Sequence, residues 1–418
     1  MSTNPPHPGN KLAVWNLTDP DAPVRVGTAS LMLGGRGIAF AYDRDWLANG
    51  YPLSGDMPLQ RALLAPTARD RLFGALDDAM PDRWGERAIR FVDNPPRATA
   101  LDFLYYAGDH RFGALGFSID QTAYVPHRGG PLPTADSIHS LQALIDRIDA
   151  NEPLTEQEKL ISGTTKTMGG AHPKALVTME GKDWIAKFPR GANIDLGLIE
   201  HASLRLAAQA GINAANSVAL PGLFGHVVAV ERFDRAGHQR LRALSAKTVL
   251  LAGVGFGPPP LDELSYGAMA SFLLQAGAAD VQVKQRKELF RRMTFNILIE
   301  NSDDHEKNHA FLHDAGFWSL APAFDVLPNT SNAGYQQMGV GTQGALGSLE
   351  NALSECRLFG LDRDEAIEEW FRVAAVVDEW DQFFTSLGVS GKDIGYLRNF
   401  IDQPERKAMR LRSALDGL

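Results

Sequence analysis

Cysteine is almost absent: the 418-residue chain has one, Cys356. A single thiol excludes an internal disulfide, so a reducing compartment and a cytoplasmic location are expected. Cys356 has no evident His partner close to it in sequence. It is expected as a small buried hydrophobe near a helix start rather than as a nucleophile. Long apolar runs are also missing. No stretch of 18 or more uninterrupted apolar residues occurs, and no membrane association is expected. The opening residues MSTNPPHPGNK contain no apolar segment of the kind a secretory signal needs, and residues 1 to 10 are expected to form a disordered tail. Positive charge is in short supply: 41 Lys and Arg face 50 Asp and Glu, for a net charge of -9. A chain with that balance is not expected to grip nucleic acid through its overall field; contact with DNA needs a local patch or a basic partner. Internal repeats and low-complexity tracts are absent.

What is present is an ordinary globular composition, 44% hydrophobic and 22% charged, in a chain long enough for two or three packed units. Two apolar runs between Val24 and Tyr42 flank Gly34-Gly35-Arg36-Gly37 and predict a hairpin. Helices are expected over Ala62 to Leu76 and Asp82 to Phe91. Tyr124 to Pro133, rich in Pro and Gly, reads as a linker, and Ser137 to Ala150 as a helix leading out of it. Further on, Lys174 to Glu180 and Asp183 to Phe188 read as strands joined by Gly181-Lys182, a pair suited to a type II′ turn. Ile199, Ala202, Leu206 and Ala210 recur at helical spacing, with Gly211 as the stop. Val227 to Val230 is an apolar strand, and Leu250 to Pro260 a Gly/Pro loop. From Ser265 the chain is mainly helical, closing with long helices over Arg363 to Phe384 and Lys392 to Leu415. The expected fold class is α+β. A small α/β N-terminal subdomain occupies 11–120, and a linker and helix 121–160. A catalytic part at 161–418 has a small sheet lobe to about 235 and a larger helical lobe after it. That order is the one expected of a protein-kinase-like fold, with nucleotide held between lobes.

The residues that carry chemistry fall in five places. Asn301 to Asn308, NSDDHEKN, follows an apolar helix expected over Leu289 to Ile299. Phosphoryl transfer requires a carboxylate that accepts the hydroxyl proton and, a few residues later, an amide oxygen for Mg²⁺. Asp303 and Asn308, five apart, match that pattern, and Lys307 suits neutralisation of the moving phosphoryl group. The same octapeptide also reads as a solvated turn. Asp325, in LAPAFDVLP, comes seventeen residues after Asn308 in apolar company. An acid there requires a cation or a strong partner: it is a metal ligand, or it caps a turn or pairs with an Arg. Lys187 shares a strand face with Ile185 in WIAKFP and suits the α and β phosphates. Glu200 on the next helix is either its orienting partner or an exposed face residue. The loop TMGGAHPK, Thr167 to Lys174, lets backbone amides approach phosphate at its adjacent glycines, yet it fits neither a Walker A pattern nor G-x-G-x-x-G. Finally, ERFDR at Glu231 to Arg235 ends an apolar strand, as a hinge that reads adenine or as a charged strand end.

In this order the five pieces resemble the HipA family of toxin kinases, members of type II toxin–antitoxin modules. The likeness covers most of the chain: FAYDRDWL, PLSGDMPL, MPDRWG and GDHRFGAL in the N-terminal part, then GGAHPK, IAKFP, ERFDR, DDHEKN and PAFD. The resemblance implies a serine/threonine kinase that uses ATP and Mg²⁺. Carried over by position, it makes Asp303 the proton acceptor with Lys307 beside it. It puts His305, Glu306, Lys307, Asn308, Phe324 and Asp325 along the ATP, with Asn308 and Asp325 on the metal. Lys187 contacts phosphate, Glu231, Arg232 and Phe233 form the hinge, and Gly169, Gly170, Ala171, His172, Pro173 and Lys174 form the phosphate loop. The family silences itself by phosphorylating a serine just before that loop. Thr167 stands at that position, with Thr164 and Thr165 as neighbouring hydroxyls. The resemblance further implies a HipB-like helix-turn-helix antitoxin, through which alone DNA is met, and an aminoacyl-tRNA synthetase as protein substrate.

Two other readings stand beside this one. A metal-dependent hydrolase would use His305 and His309, four apart, with Asp303 and Asp325. A nucleotide-binding pseudokinase would act only as a corepressor with its antitoxin.

Overall fold

In a computed structural model the strand Lys11–Asn16 lies inside a four-stranded antiparallel sheet, in the order Ile38–Tyr42, Val24–Leu31, Lys11–Asn16, Leu115–Ser118. Its successive residues Leu12, Ala13 and Val14 are all buried, as a strand covered on both faces requires. The structure describes residues 7–32, 37–66, 72–127, 131–166, 172–191, 193–251, 264–330 and 334–417. They fall into two compact units, one of Met1–Phe188 with Asp234–Leu244, the other of Pro189–Phe233 with Ser245–Leu418.

In the first unit the expected hairpin forms, its turn residues 33–36 lying outside the described residues. Of the helix expected over Ala62 to Leu76, residues 67–71 lie outside the described residues; a helix is present at Gly74–Asp78, while residues 62–66 are not helical and Leu64 bridges Phe40 through paired backbone hydrogen bonds of 2.8 Å. Pro66 explains part of this, because the residue before a proline is driven away from helical backbone. The second expected helix is present as Arg83–Val92. Residues 1–6 of the expected tail lie outside the described residues. Pro8 to Asn10 are tied down: the Arg97 guanidinium donates to the Pro8 carbonyl at 2.8 Å and to Asn10 Oδ1 at 2.9 Å. Within the stretch expected as a linker, the His127 ring packs on Tyr105 and Tyr106, with centroids 4.6 and 4.8 Å away. Helix Ile138–Ala150 follows.

Lys166, the last described residue before the Gly-rich loop, is buried and pairs with buried Asp93 at 2.6 Å. Its carbonyl lies so close to Gly85 that a Cβ there would sit 2.7 Å from it, which accounts for glycine at that position. Strands Lys174–Met179 and Lys182–Lys187 pair antiparallel. Their turn is centred on Glu180 and Gly181, both at positive φ (52° and 74°). That is the type I′ pattern rather than the expected type II′, because Lys182 already belongs to the second strand. The segment from Asp234 is structural: Asp234 Oδ2 accepts the Gly113 N–H at 2.8 Å, and Arg240 donates to Asp109 Oδ2 at 2.7 Å. Burial alone would raise the Asp109 carboxyl, but the charge and hydrogen bond of Arg240, helped by Tyr124, hold it below the usual carboxylate range.

The second unit opens with helix Leu196–Gln209, capped by Asp195 and ended at Gly211 (φ 76°). Strands Ser217–Pro221 and His226–Glu231 form a hairpin. Helices Tyr266–Ala276 and Ala279–Leu298 precede the polar loop and the strand pair Ala310–Asp314 and Phe317–Leu320. The core gathers Leu206, Phe290, Phe295, Phe311, Trp370 and Trp380. The two long closing helices are each broken. The first divides at Glu379 into Arg363–Asp378 and Trp380–Ser386; the second divides into Gly391–Ile401 and Pro404–Met409, since Pro404 can start a helix but not continue one. Cys356 is buried as expected, in a short 3₁₀ turn. Residues 252–260 of the expected Gly/Pro loop lie outside the described residues. Among the described residues no helix is long and apolar enough to cross a membrane.

Arg240→Gln leaves the half-buried Asp109 carboxylate without its cation and is expected to destabilise the protein by roughly 3 to 5 kcal/mol at neutral pH, read by urea denaturation. The folded Asp109 titrates below the unfolded value of about 3.9. Its contribution is therefore complete above that pH and fades as the pH falls through the folded pKa. The gap between variant and parent should close in acid, and a gap independent of pH would contradict the assignment.

Candidate active site

The site begins at a helix end. Helix Ala279–Leu298 terminates with Glu300 at φ 64°, and Asn301 N–H donates to the Asn296 carbonyl at 2.8 Å. A six-to-one bond around a left-handed residue is a Schellman closure, a position that normally takes glycine. Here Glu300 is held by an ion pair between its buried carboxylate and Arg406. Its carbonyl accepts the Asn329 N–H at 2.7 Å. The chain therefore turns sharply into Asn301–Asn308.

The two adjacent aspartates of that loop have opposite fates. Asp304 is buried. Its Oδ2 accepts hydrogen bonds from the Tyr266 hydroxyl and from His309 Nε2, the latter at 2.9 Å. Asn296 Nδ2 donates to the Tyr266 oxygen at 3.0 Å, and Asn301 Nδ2 donates to Asn296 Oδ1 at 3.1 Å. Burial, and then the Asp304 charge, push the Tyr266 phenol well above its usual range, so it stays a donor. Asp303 is exposed. Its backbone carbonyl accepts from Asn308 Nδ2 at 3.4 Å, and its Oδ1 accepts from Gln337 Nε2 at 2.8 Å. A one-turn 3₁₀ helix, Glu306–Asn308, is capped by His305, whose Nδ1 accepts the Lys307 N–H at 3.2 Å.

The segment carrying Phe324 and Asp325 is strapped in place by backbone bonds: Ala323 N–H donates to the Asn213 carbonyl and Ala215 N–H to the Ala323 carbonyl, both at 2.8 Å. Arg292 Nη2 adds a bond to the Ala321 carbonyl at 2.8 Å. Asn308 and Phe324 line one small cavity with Asp304 and His309, so the two segments meet. Asp325 has φ 58°, a left-handed conformation that a non-glycine residue holds only where its surroundings enforce it. The Phe233 ring packs on Phe324 with centroids 5.3 Å apart. Glu231 uses its N–H on the Asn216 carbonyl at 2.9 Å, and its carboxylate accepts from Asn216 Nδ2 at 2.9 Å. Arg232 is buried.

Lys174 and Lys187 lie in the first unit, directly opposite each other across the hairpin. His172 and Pro173 precede them, and the Pro173 carbonyl accepts the Phe188 N–H at 2.9 Å. Thr167, Gly169, Gly170 and Ala171 lie outside the described residues. The hydroxyls of Thr164 and Thr165 donate to the Ile161 and Ser162 carbonyls, and Thr165 is fully buried. Glu200, in the second unit, is buried, which removes its reading as an exposed face residue.

The hydrolase reading loses its second histidine, since His309 is buried and bonded to Asp304. Among the described residues no three His, Cys, Asp or Glu side chains gather as a metal set. Asp304, Tyr266 and Gln337 were not singled out by sequence. The doublet Asp303-Asp304 was the one available sign that two carboxylates must divide two tasks.

Tyr266→Phe deprives the buried Asp304 carboxylate of one donor and is expected to lower unfolding free energy by roughly 1.5 to 3 kcal/mol. An unchanged urea midpoint would contradict that role.

Residues 166–380, just over half of the chain, match the profile of the HipA-like C-terminal domain, and residues 23–118 match that of the HipA N-terminal domain. The chain is 24% identical over 323 residues to the serine/threonine-protein kinase toxin HipA of Shewanella oneidensis, covering 69% of this chain and 70% of that protein. The Helicobacter pylori proinflammatory kinase CtkA superposes with a TM-score of 0.44 at 14% identity, over 57% of this chain and 90% of that one. The solved complex of Shewanella oneidensis HipA, HipB and operator DNA holds a chain that superposes with a TM-score of 0.67 at 18% identity, over 96% of both chains. The fold is therefore α+β and kinase-like, and the chain belongs to the HipA family of toxins.

Proposed function

We propose that the chain is a protein kinase that transfers the γ-phosphate of Mg-ATP to a serine or threonine hydroxyl of a protein. The observation that carries this reading is the division of labour on one loop. Asp304 is committed to the interior, while Asp303, a residue away and five before Asn308, is presented to solvent as a carboxylate able to take the hydroxyl proton. Lys307 on the same loop brings positive charge toward the moving phosphoryl group. Lys187 and Lys174 present paired cations for phosphate oxygens, and Phe233 with Phe324 offers an aromatic surface for the base. Glu231 to Phe233 serve as the hinge, and residues 169–174 as the phosphate loop.

The donors fit Mg²⁺. Asn308 offers an amide oxygen and Asp325 a carboxylate, two hard oxygen ligands, and magnesium is commonly held by one or two protein oxygens with water and phosphate completing the shell. Bound there, the ion would offset the charge of the phosphate oxygens. Asn308 and Asp325 would hold it, and Asp303 would accept the proton.

The Shewanella relative was solved with HipB and operator DNA. We extend that arrangement to this chain as a HipB-like antitoxin partner that carries the DNA contact, in keeping with the net charge of -9. The substrate proposed is an aminoacyl-tRNA synthetase, and the self-phosphorylation site Thr167.

Asp303→Asn should slow transfer of label from γ-labelled ATP by about 10²- to 10⁴-fold while ATP still binds; near-parental turnover would refute Asp303 as base. Asp325→Ala should abolish the Mg²⁺-dependent part of nucleotide affinity in a calorimetric titration. Unchanged Mg-ATP affinity in that variant removes Asp325 from the metal.

A further inference from the structure

Asp303 is not left to swing freely in solvent. Its Oδ1 accepts a hydrogen bond of 2.8 Å from Gln337 Nε2, thirty-four residues further along the chain. The direction of that bond follows from chemistry. An ionised carboxylate has only acceptor sites, so the amide must turn its nitrogen toward it.

The backbone fixes where Gln337 stands. Gln336 and Met338 are buried and Gln337 between them is exposed, the alternation of an extended segment with one face on the core. Gln336 N–H donates to the Ala345 carbonyl and Gly339 N–H to the Leu264 carbonyl, each at 2.9 Å. The Gly339 carbonyl in turn accepts the Tyr266 N–H at 3.0 Å. Tyr266 is the residue whose hydroxyl holds Asp304. One short stretch of backbone therefore links the donor on Asp303 to the clamp on its neighbour.

We infer that Gln337 is a positioning residue for Asp303, resting on the assignment of Asp303 as the proton acceptor. A hydrogen bond to one carboxylate oxygen stops rotation of an exposed side chain and leaves the other oxygen for the substrate hydroxyl.

The test measures kcat and KM for ATP of the full-length chain, for the parent and for Gln337→Ala, Gln337→Glu and Asp303→Asn. Gln337 is exposed, so its variants are expected to fold. Gln337→Ala should lower kcat by about ten- to a hundredfold, the loss of one hydrogen bond to a charged group, with KM for ATP unchanged. Gln337→Glu keeps the length of the side chain but replaces the donor with a carboxylate that cannot donate, so it should lower kcat at least as far as Gln337→Ala, again with KM for ATP unchanged. A parental kcat in both Gln337→Ala and Gln337→Glu, beside an inactive Asp303→Asn, overturns this inference and leaves the base assignment standing. An active Asp303→Asn, or a parent that turns over no ATP, overturns both.

Discussion

A buried carboxylate with two donors of its own governs this structure. Asp304 sits in the interior of the second unit, bound by the Tyr266 hydroxyl and His309 Nε2. An ionised group removed from water is tolerated only with such compensation. Asp304 is turned inward, while Asp303, on the same tight loop entered through a left-handed glutamate, is exposed. Asn296, Asn301, Tyr266 and His309 form the bonded network that holds Asp304 inside.

Positively charged groups obey a similar division in the first unit. Lys166 is committed to Asp93 in a buried pair, and Arg240 to Asp109. Both pairings are structural. Lys174 and Lys187 stand directly opposite each other on neighbouring strands. Backbone strain follows the same logic. Glu300 and Asp325 both hold positive φ, one at the entrance to the Asp303 loop and the other at the end of the Phe324 segment. Such conformations persist where the surrounding bonds enforce them, here the Glu300–Arg406 ion pair and the backbone strap on Ala323.

Much of this was legible in the sequence because it is local. Strand alternation, the Gly211 stop, the helix before NSDDHEKN and the five-residue spacing of Asp303 and Asn308 all lie within single segments. What escaped was either cooperative or distant. The helix expected from Ala62 yielded to a bridge between Leu64 and Phe40, a tertiary pairing that local propensity does not register. The type I′ turn depended on strand register, which places Glu180 rather than Lys182 at the bend. The bond from Gln337 to Asp303 and that from Tyr266 to Asp304 span 34 and 38 residues, with no motif to announce them. Periodicity alone left Glu200 two readings, an orienting partner or an exposed face residue, and its burial removes only the second.

The most direct test is a crystal structure of the full chain with Mg²⁺ and a non-hydrolysable ATP analogue. The account predicts the Asp303 carboxylate turned toward the terminal phosphate and Asp304 still bonded to Tyr266 and His309 behind it. A complex in which Asp304 has left that pair to face the nucleotide, with Asp303 pointing away, would contradict it.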